Sequence, residues 1–227
     1  MIAPADFSVP PSPNRLESVR RAGFAAAVVG AVPEALADTD KSNAPASSST
    51  IIDFERTLKR ERFEYYGHPK VDILKDGCLD IPNNILDKLD VVGASIHSNF
   101  SLSKEIQTER LIKAAKNPSV DIIFHPTGRL INKREGYSID IEKLIDTACE
   151  TRTILEINSN YNRLDLRDEH IRLAVNNGVK LAINSDAHHP IHFAYLLFGV
   201  GQARRGWAEK IDVINSSNVD DLLKRLK

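Results

Sequence analysis

The octapeptide INSDAHHP, residues 183–190, sets Asp186 and His188 directly behind an apolar run at 179–183. A carboxylate and an imidazole two positions apart supply an oxygen and a nitrogen donor, a mixture that suits Zn²⁺, Mn²⁺ or Fe²⁺. Three other apolar runs end in the same manner. The run 91–96 leads into His97 of ASIHSNF, 120–124 into His125 of FHPTGR, and 154–157 into Asn158 of EINSN. Taken singly, a histidine behind a strand is ordinarily a loop or hydrogen-bonding residue, and Asp-Ala-His is ordinarily a turn. Donors at the same topological position of four successive runs point instead to one shared site. The expectation is a divalent metal centre, with His97, His125, Asp186 and His188 as both ligands and catalytic residues. His189 and His192 are expected not to be ligands, His192 because it opens the next helix, and His170 in RDEHIRLA reads as a surface histidine.

Arginines gather in the same segments: Arg129 in HPTGR, Arg163 in NRLDL, and Arg204 with Arg205 in GQARRGW. A planar guanidinium can engage two phosphate oxygens at once, which an ammonium cannot. For Arg204 and Arg205 a solvated helix surface is the plainer reading. Metal donors and guanidinium groups on one rim suggest a phosphoester substrate, with Arg129, Asn158, Arg163 and Arg204 expected to contact it.

These residues need a scaffold that brings strand ends together. The apolar runs 71–74, 91–96, 120–124, 154–157, 179–183 and 211–214 are too short for helices and rich in β-branched residues, as strands buried on both faces are. Between them lie amphipathic stretches. Ile141, Leu144, Ile145 and Ala148 share one helix face behind Asp140 as N-cap; Ile171, Ala174 and Val175 do so ahead of Gly178 as a stop. Strands alternating with helices call for right-handed parallel crossovers. The fold class predicted is α/β, a distorted or incomplete, TIM-like β/α barrel, in which functional residues collect at the carboxyl ends of the strands.

Composition narrows the setting. The 227 residues, 42% hydrophobic, suffice for a full core. Residues 1–50, with VPPSP and DTDKSNAPASSST, read as a poorly ordered or diverged amino-terminal segment with a linker, and 51–227 as one barrel domain. A net charge of -1 gives no global attraction to nucleic acid or anionic membrane, so any DNA contact must be local. No run reaches the roughly 18 apolar residues of a membrane span. The stretch after Arg20-Arg21 loosely mimics a secretory signal, but Pro33 and Glu34 interrupt it. Cys78 and Cys149, with no CxxC spacing, read as buried thiols in a reducing, cytoplasmic compartment. Oligomeric state stays open.

At VDILKDGCLD, LDVVGASIHSNFSLSKEIQTERL, HPTGRLINKREGYSIDIEKLI, EINSNYNRLDL, INSDAHH and GVGQARRGW, the chain resembles the PHP (polymerase and histidinol phosphatase) domain. It is most similar to the carboxyl-terminal PHP domain of X-family DNA polymerases. The resemblance covers about residues 70–227 and implies a distorted barrel that hydrolyses phosphoesters at nucleic-acid 3′ ends with bound divalent ions, in a DNA-repair setting as a 3′-5′ exonuclease or 3′-phosphatase. It places His97, His125, Asp186 and His188 on ligand positions, and Arg129, Asn158 and Arg163 near the pocket. The family's amino-terminal His-x-His and Asp-His pairs have no counterpart, since the first histidine is His68, and Lys70 stands where a ligating glutamate belongs. A charged ammonium has no lone pair to donate. The ligand set left would hold one ion, Mn²⁺ or Zn²⁺. The alternatives are an inactive PHP remnant that binds DNA or a protein partner through its arginine rim, and a histidinol-phosphatase-like enzyme acting on small phosphate esters.

Overall fold

The structure, a computed structural model, describes residues 71–226 apart from positions 88, 90 and 218. The expectations for residues 1–70, including the linker, the domain start at 51, His68 and Lys70, lie outside the described residues.

Among the described residues five strands form one parallel sheet in chain order: β1 (Val71–Asp72), β2 (Gly93–Ser95), β3 (Ile122–Ile123), β4 (Ile154–Asn158) and β5 (Leu181–Asn184). Helices α1 (Asn83–Leu86), α2 (Lys104–Ala115), α3 (Ile141–Thr151) and α4 (Asp168–Asn176) fill the four crossovers. Helix α5 (Leu196–Arg205) and the short α6 (Val219–Leu223) follow β5. The α/β class is therefore as expected, with strand order and parallel pairing those of an incomplete β/α barrel.

Local chemistry starts and stops these elements where the sequence says. Asp140 caps α3 by accepting from the Lys143 N–H at 3.2 Å, and Ser103 caps α2. Gly178, at a φ of 75°, turns the chain out of α4 into β5, where a side chain would be strained. One face of the sheet packs Ile123, Leu155, Ile157 and Leu181 against Leu111, Leu144, Ile145 and Ile171 of the helices. The other collects Ile122, Ile154, Ala182, Ile214 and Leu222.

The sixth strand expected at 211–214 is not formed. The chain there makes two short 3-10 turns, Lys210–Asp212 and Ile214–Ser216, and touches the sheet through a single parallel bridge, Leu181 to Val213. The cause is Asn215. Its carboxamide accepts from Ile183 N at 3.1 Å and donates to Ile183 O at 2.6 Å, taking the edge hydrogen bonds that a sixth strand would need. Both cysteines are exposed rather than buried: Cys78 sits in the turn after β1 beside Lys113, and Cys149 on the solvent side of α3. The apolar stripe of α3 passes through its neighbour Ala148 and leaves the thiol outside. Among the described residues no helix is long and apolar enough to cross a membrane.

One buried cation ties the first half together. Arg110 of α2, 1% exposed, donates to Ile73 O at 2.6 Å, Leu74 O at 2.9 Å and the Gln107 side chain at 2.8 Å, and reaches the Ser98 and Asn99 carbonyls. It thereby fastens the loops that leave β1 and β2, the second of which carries His97.

Candidate active site

Strand register decides what meets at the rim. Asp72 pairs with Ser95, Glu156 with Ala182, and Asn158 with Asn184. Side chains alternate along a strand, so Glu156, Asn158 and Asn184 share the face of Ile154 and Ala182, at its carboxyl end. Glu156 is 3% exposed and works as a hub: one oxygen accepts from His125 N at 2.6 Å and from Asn158 at 3.3 Å, the other from Asn184 at 3.0 Å. Burial, opposed by the Asn184 bond and reinforced by the Asp186 charge, pushes its carboxyl up to about 8.

His97 follows β2. Its ring lies 3.1 Å from Ser95 Oγ and 3.4 Å from Asp72 Oδ1, and its N–H donates to the same Asp72 oxygen. The His125 ring meets it edge to face, centroids 5.3 Å apart. His125 is 4% exposed, and burial, helped by the Arg163 charge, lowers its pKa to about 3. Its Nδ1 is buried without a hydrogen-bond partner among the described residues. Across the rim, Asp186 holds Arg163 Nε at 3.4 Å, and His188 Nδ1 lies 3.9 Å from the Asp186 carboxylate and 2.8 Å from its carbonyl. His125 and Asp186 both leave their strands with positive φ, 31° and 52°.

The candidate ligands therefore come as two pairs, His97 with His125 and Asp186 with His188. Among the described residues, no three His, Cys, Asp or Glu side chains close round one point as a metal site. The donor chemistry of His125 nevertheless fits a ligand. A neutral imidazole with a buried, unengaged nitrogen is what metal coordination uses. Asp186 fits by charge, though the Arg163 guanidinium lies against one of its oxygens.

The remaining expected contacts are placed as follows. Arg129 turns back into the protein, donating to Arg163 O at 2.7 Å and to Leu164 O, so it holds the loop that presents Arg163. The same two loops are clasped by buried Asp165, which accepts from Thr127 N at 3.1 Å. Asn158 is spent internally, on Glu156 and on Asn160 N. Arg204 is exposed on the last turn of α5, next to Arg205, which binds Asp168 of α4 at 2.8 Å. His189 accepts from Ile191 N and starts the 3-10 turn Pro190–Tyr195, on which His192 lies. His170 is half-buried, and burial lowers its pKa, contrary to its surface reading; it lies on the side of α4 turned toward the protein.

Glu156 and Asn184 were not among the expected site residues. The signal was present: a carboxylate inside the otherwise apolar ILEIN has to be buried, and a buried carboxylate needs donors or a proton. Two opposed pH effects follow. Glu156 binds its proton more tightly folded than unfolded, so its contribution weakens as pH rises from about 4.5 to about 8. His125 binds its proton less tightly when folded, so its contribution weakens as pH falls from 6.5 toward 3. The two offset each other below 6.5, leaving Glu156 alone above it. Urea unfolding should show stability declining by roughly 1–2 kcal/mol from pH 6.5 to 8. Glu156→Gln should flatten that decline, and an unchanged slope in the variant would show that Glu156 is not its source.

No family model matches the chain. Over 167 residues, 74% of its length, it is 46% identical to the DNA polymerase/3′-5′ exonuclease PolX of Bacillus subtilis (strain 168), covering 29% of that protein. Over 174 residues, 72% of its length, it is 36% identical to a probable phosphatase of Thermoanaerobacter sp. (strain X514), covering 64% of it. A probable phosphatase of Acetivibrio thermocellus is 31% identical over 66% of this chain and 64% of its own length. The chain thus spans less than two thirds of each of these relatives. Their names describe an exonuclease in one case and phosphatases in the others, and both kinds of activity break a phosphoester bond.

Proposed function

We propose that the rim formed by the loops after β2 to β5 is a PHP-type phosphoester hydrolase site that acts on nucleic-acid 3′ ends. The observation that carries the reading is a neutral, buried imidazole, His125, with an unengaged Nδ1, set between a second imidazole and a carboxylate–guanidinium pair. The likeness to PolX over three quarters of the chain supports the nucleic-acid substrate.

In this reading His97, His125, Asp186 and His188 would hold one divalent ion, Mn²⁺ or Zn²⁺. The chemistry such an ion supplies when bound is charge neutralisation on the phosphate and a water whose pKa falls to about 7. The chain's own groups do the rest. Arg163, held in place by Arg129, presents a guanidinium to the phosphate oxygens. Glu156, protonated near neutral pH, keeps the His125 backbone fixed without adding a second negative charge beside Asp186.

A second reading, a small-molecule phosphatase, is favoured by the probable phosphatases, of which the chain covers the larger share. Purified protein given Mn²⁺ should release nucleotides from a 3′-labelled DNA strand and stop when EDTA is added. Phosphate release from sugar phosphates alone would favour the second reading. Absence of turnover on both substrate classes would leave a binding remnant and reject the hydrolase.

A further inference from the structure

Two of the loops that build the rim also carry aromatic rings at or near the surface. Tyr161 stands two residues before Arg163 in the loop after β4 and is 52% exposed. His192 and Tyr195 stand on the 3-10 turn that follows His188. Tyr161 and Tyr195 meet edge to face with centroids 5.2 Å apart, and Tyr195 lies nearly parallel to His192 at 4.9 Å and 17°. Phe198, half exposed, extends the row 6.2 Å beyond Tyr195. The row is joined to the site at both ends: His188 N donates to His192 Nδ1 at 3.2 Å, and Arg163 of the Tyr161 loop lies on Asp186. Nothing in the core requires these rings. Tyr161 and Phe198 are exposed, and His192 and Tyr195, stacked on each other, are partly exposed between them, so the row presents an aromatic strip at the surface, as a recognition site does.

We propose that Tyr161, His192 and Tyr195 form a stacking platform for the unpaired bases of a single nucleic-acid strand whose phosphate lies at the rim. Every base has a π-face, so rings beside a cation that takes the backbone bind single strands with little regard to sequence. Arg163 provides that cation within two residues of Tyr161. The proposal rests on the hydrolase reading for the position of the phosphate; the base contacts can be measured without turnover.

Fluorescence anisotropy of the full chain in EDTA, with a short 5′-fluorescein oligothymidylate and an abasic phosphodiester of equal length, separates ring contacts from charge. The wild type should bind the thymidylate more tightly than the abasic strand. Tyr161→Ala should weaken thymidylate binding roughly 5- to 100-fold and leave the abasic strand unaffected. Tyr161→Phe, which keeps the ring, should retain wild-type affinity, and His192→Ala should repeat the Tyr161→Ala result from the other loop. Equal affinity for the two probes, or Ala variants that bind thymidylate as the wild type does, would overturn the platform. So would sedimentation as a dimer that Tyr161→Ala dissociates, which would assign the face to a second copy of the chain. Base discrimination without any hydrolysis would count against the hydrolase alone; hydrolysis without base discrimination would count against the platform alone.

Discussion

Replacing Arg110 with methionine is expected to remove roughly 2–5 kcal/mol of folding stability, out of the 5–15 kcal/mol typical of a domain. Methionine fills much of the same volume, so packing loss is a minor part of the effect. What is lost is the set of donors that reaches Ile73 O, Leu74 O, Gln107 and the carbonyls of Ser98 and Asn99. A buried carbonyl left without a donor costs about 1–3 kcal/mol, and the bond to Ile73 O is short and buried. Urea denaturation followed by far-UV circular dichroism would measure the change. A shift below about 1 kcal/mol would mean that water replaces the guanidinium at little cost, and that the loops are held by something else. Because the Ser98–Asn99 turn follows His97, any Arg110 variant that still folds should also bind or turn over substrate less well.

The second large effect is expected at His125. His125→Ala should lower kcat/KM for Mn²⁺-supported hydrolysis by roughly 10²-fold or more, since losing a group that holds the ion costs at least the roughly 10–100-fold that losing an outer supporting partner does. The imidazole is the group best prepared for chemistry at the rim: burial keeps it neutral, and its Nδ1 has no competing bond. Loss of the ring also leaves a cavity, so thermal melts must show the variant folded at the assay temperature. His125→Gln, which keeps most of the volume and a polar end, serves as the second variant. If both variants are folded and as active as the wild type, His125 is only a buried structural histidine and the hydrolytic centre must lie elsewhere.

Most of the framework could be read from the sequence because hydrophobic runs and helix caps are local signals. The runs at 71–74, 91–96, 120–124, 154–157 and 179–183 each coincide with an observed strand, the last two strands running one residue further, and Asp140 and Gly178 bound their helices as expected. The failures arise where one side chain outweighs the pattern around it. The run 211–214 looks like a strand, but Asn215 satisfies the edge of β5 with its carboxamide and no strand is needed. Arg110 reads as one more cation on an amphipathic helix, and only the carbonyls gathered from two distant loops explain its burial.

At the site, the convergence of strand ends was legible, since parallel order alone sends residues 97, 125, 158 and 186 to one side. Which groups would be spent on one another was not. Arg129 and Asn158 point to a substrate by residue type, yet Arg129 bonds to the carbonyls of the loop after β4 and Asn158 to Glu156 of its own strand and to Asn160 N. Glu156 lay inside a run whose apolar residues drew attention to its end. The aromatic row is invisible to periodicity because Tyr161 and Tyr195 are brought together from separate loops.

The left-handed backbone at residue 186 limits what random change can do there. At a φ of 52° most side chains cost roughly 1–2 kcal/mol, while asparagine and glycine are tolerated. The replacements that keep the chain on its path are thus the ones that erase the negative charge. Loss of the charge at residue 186 by this route keeps the backbone on its path, so a folded descendant of this sequence is no witness to a working one.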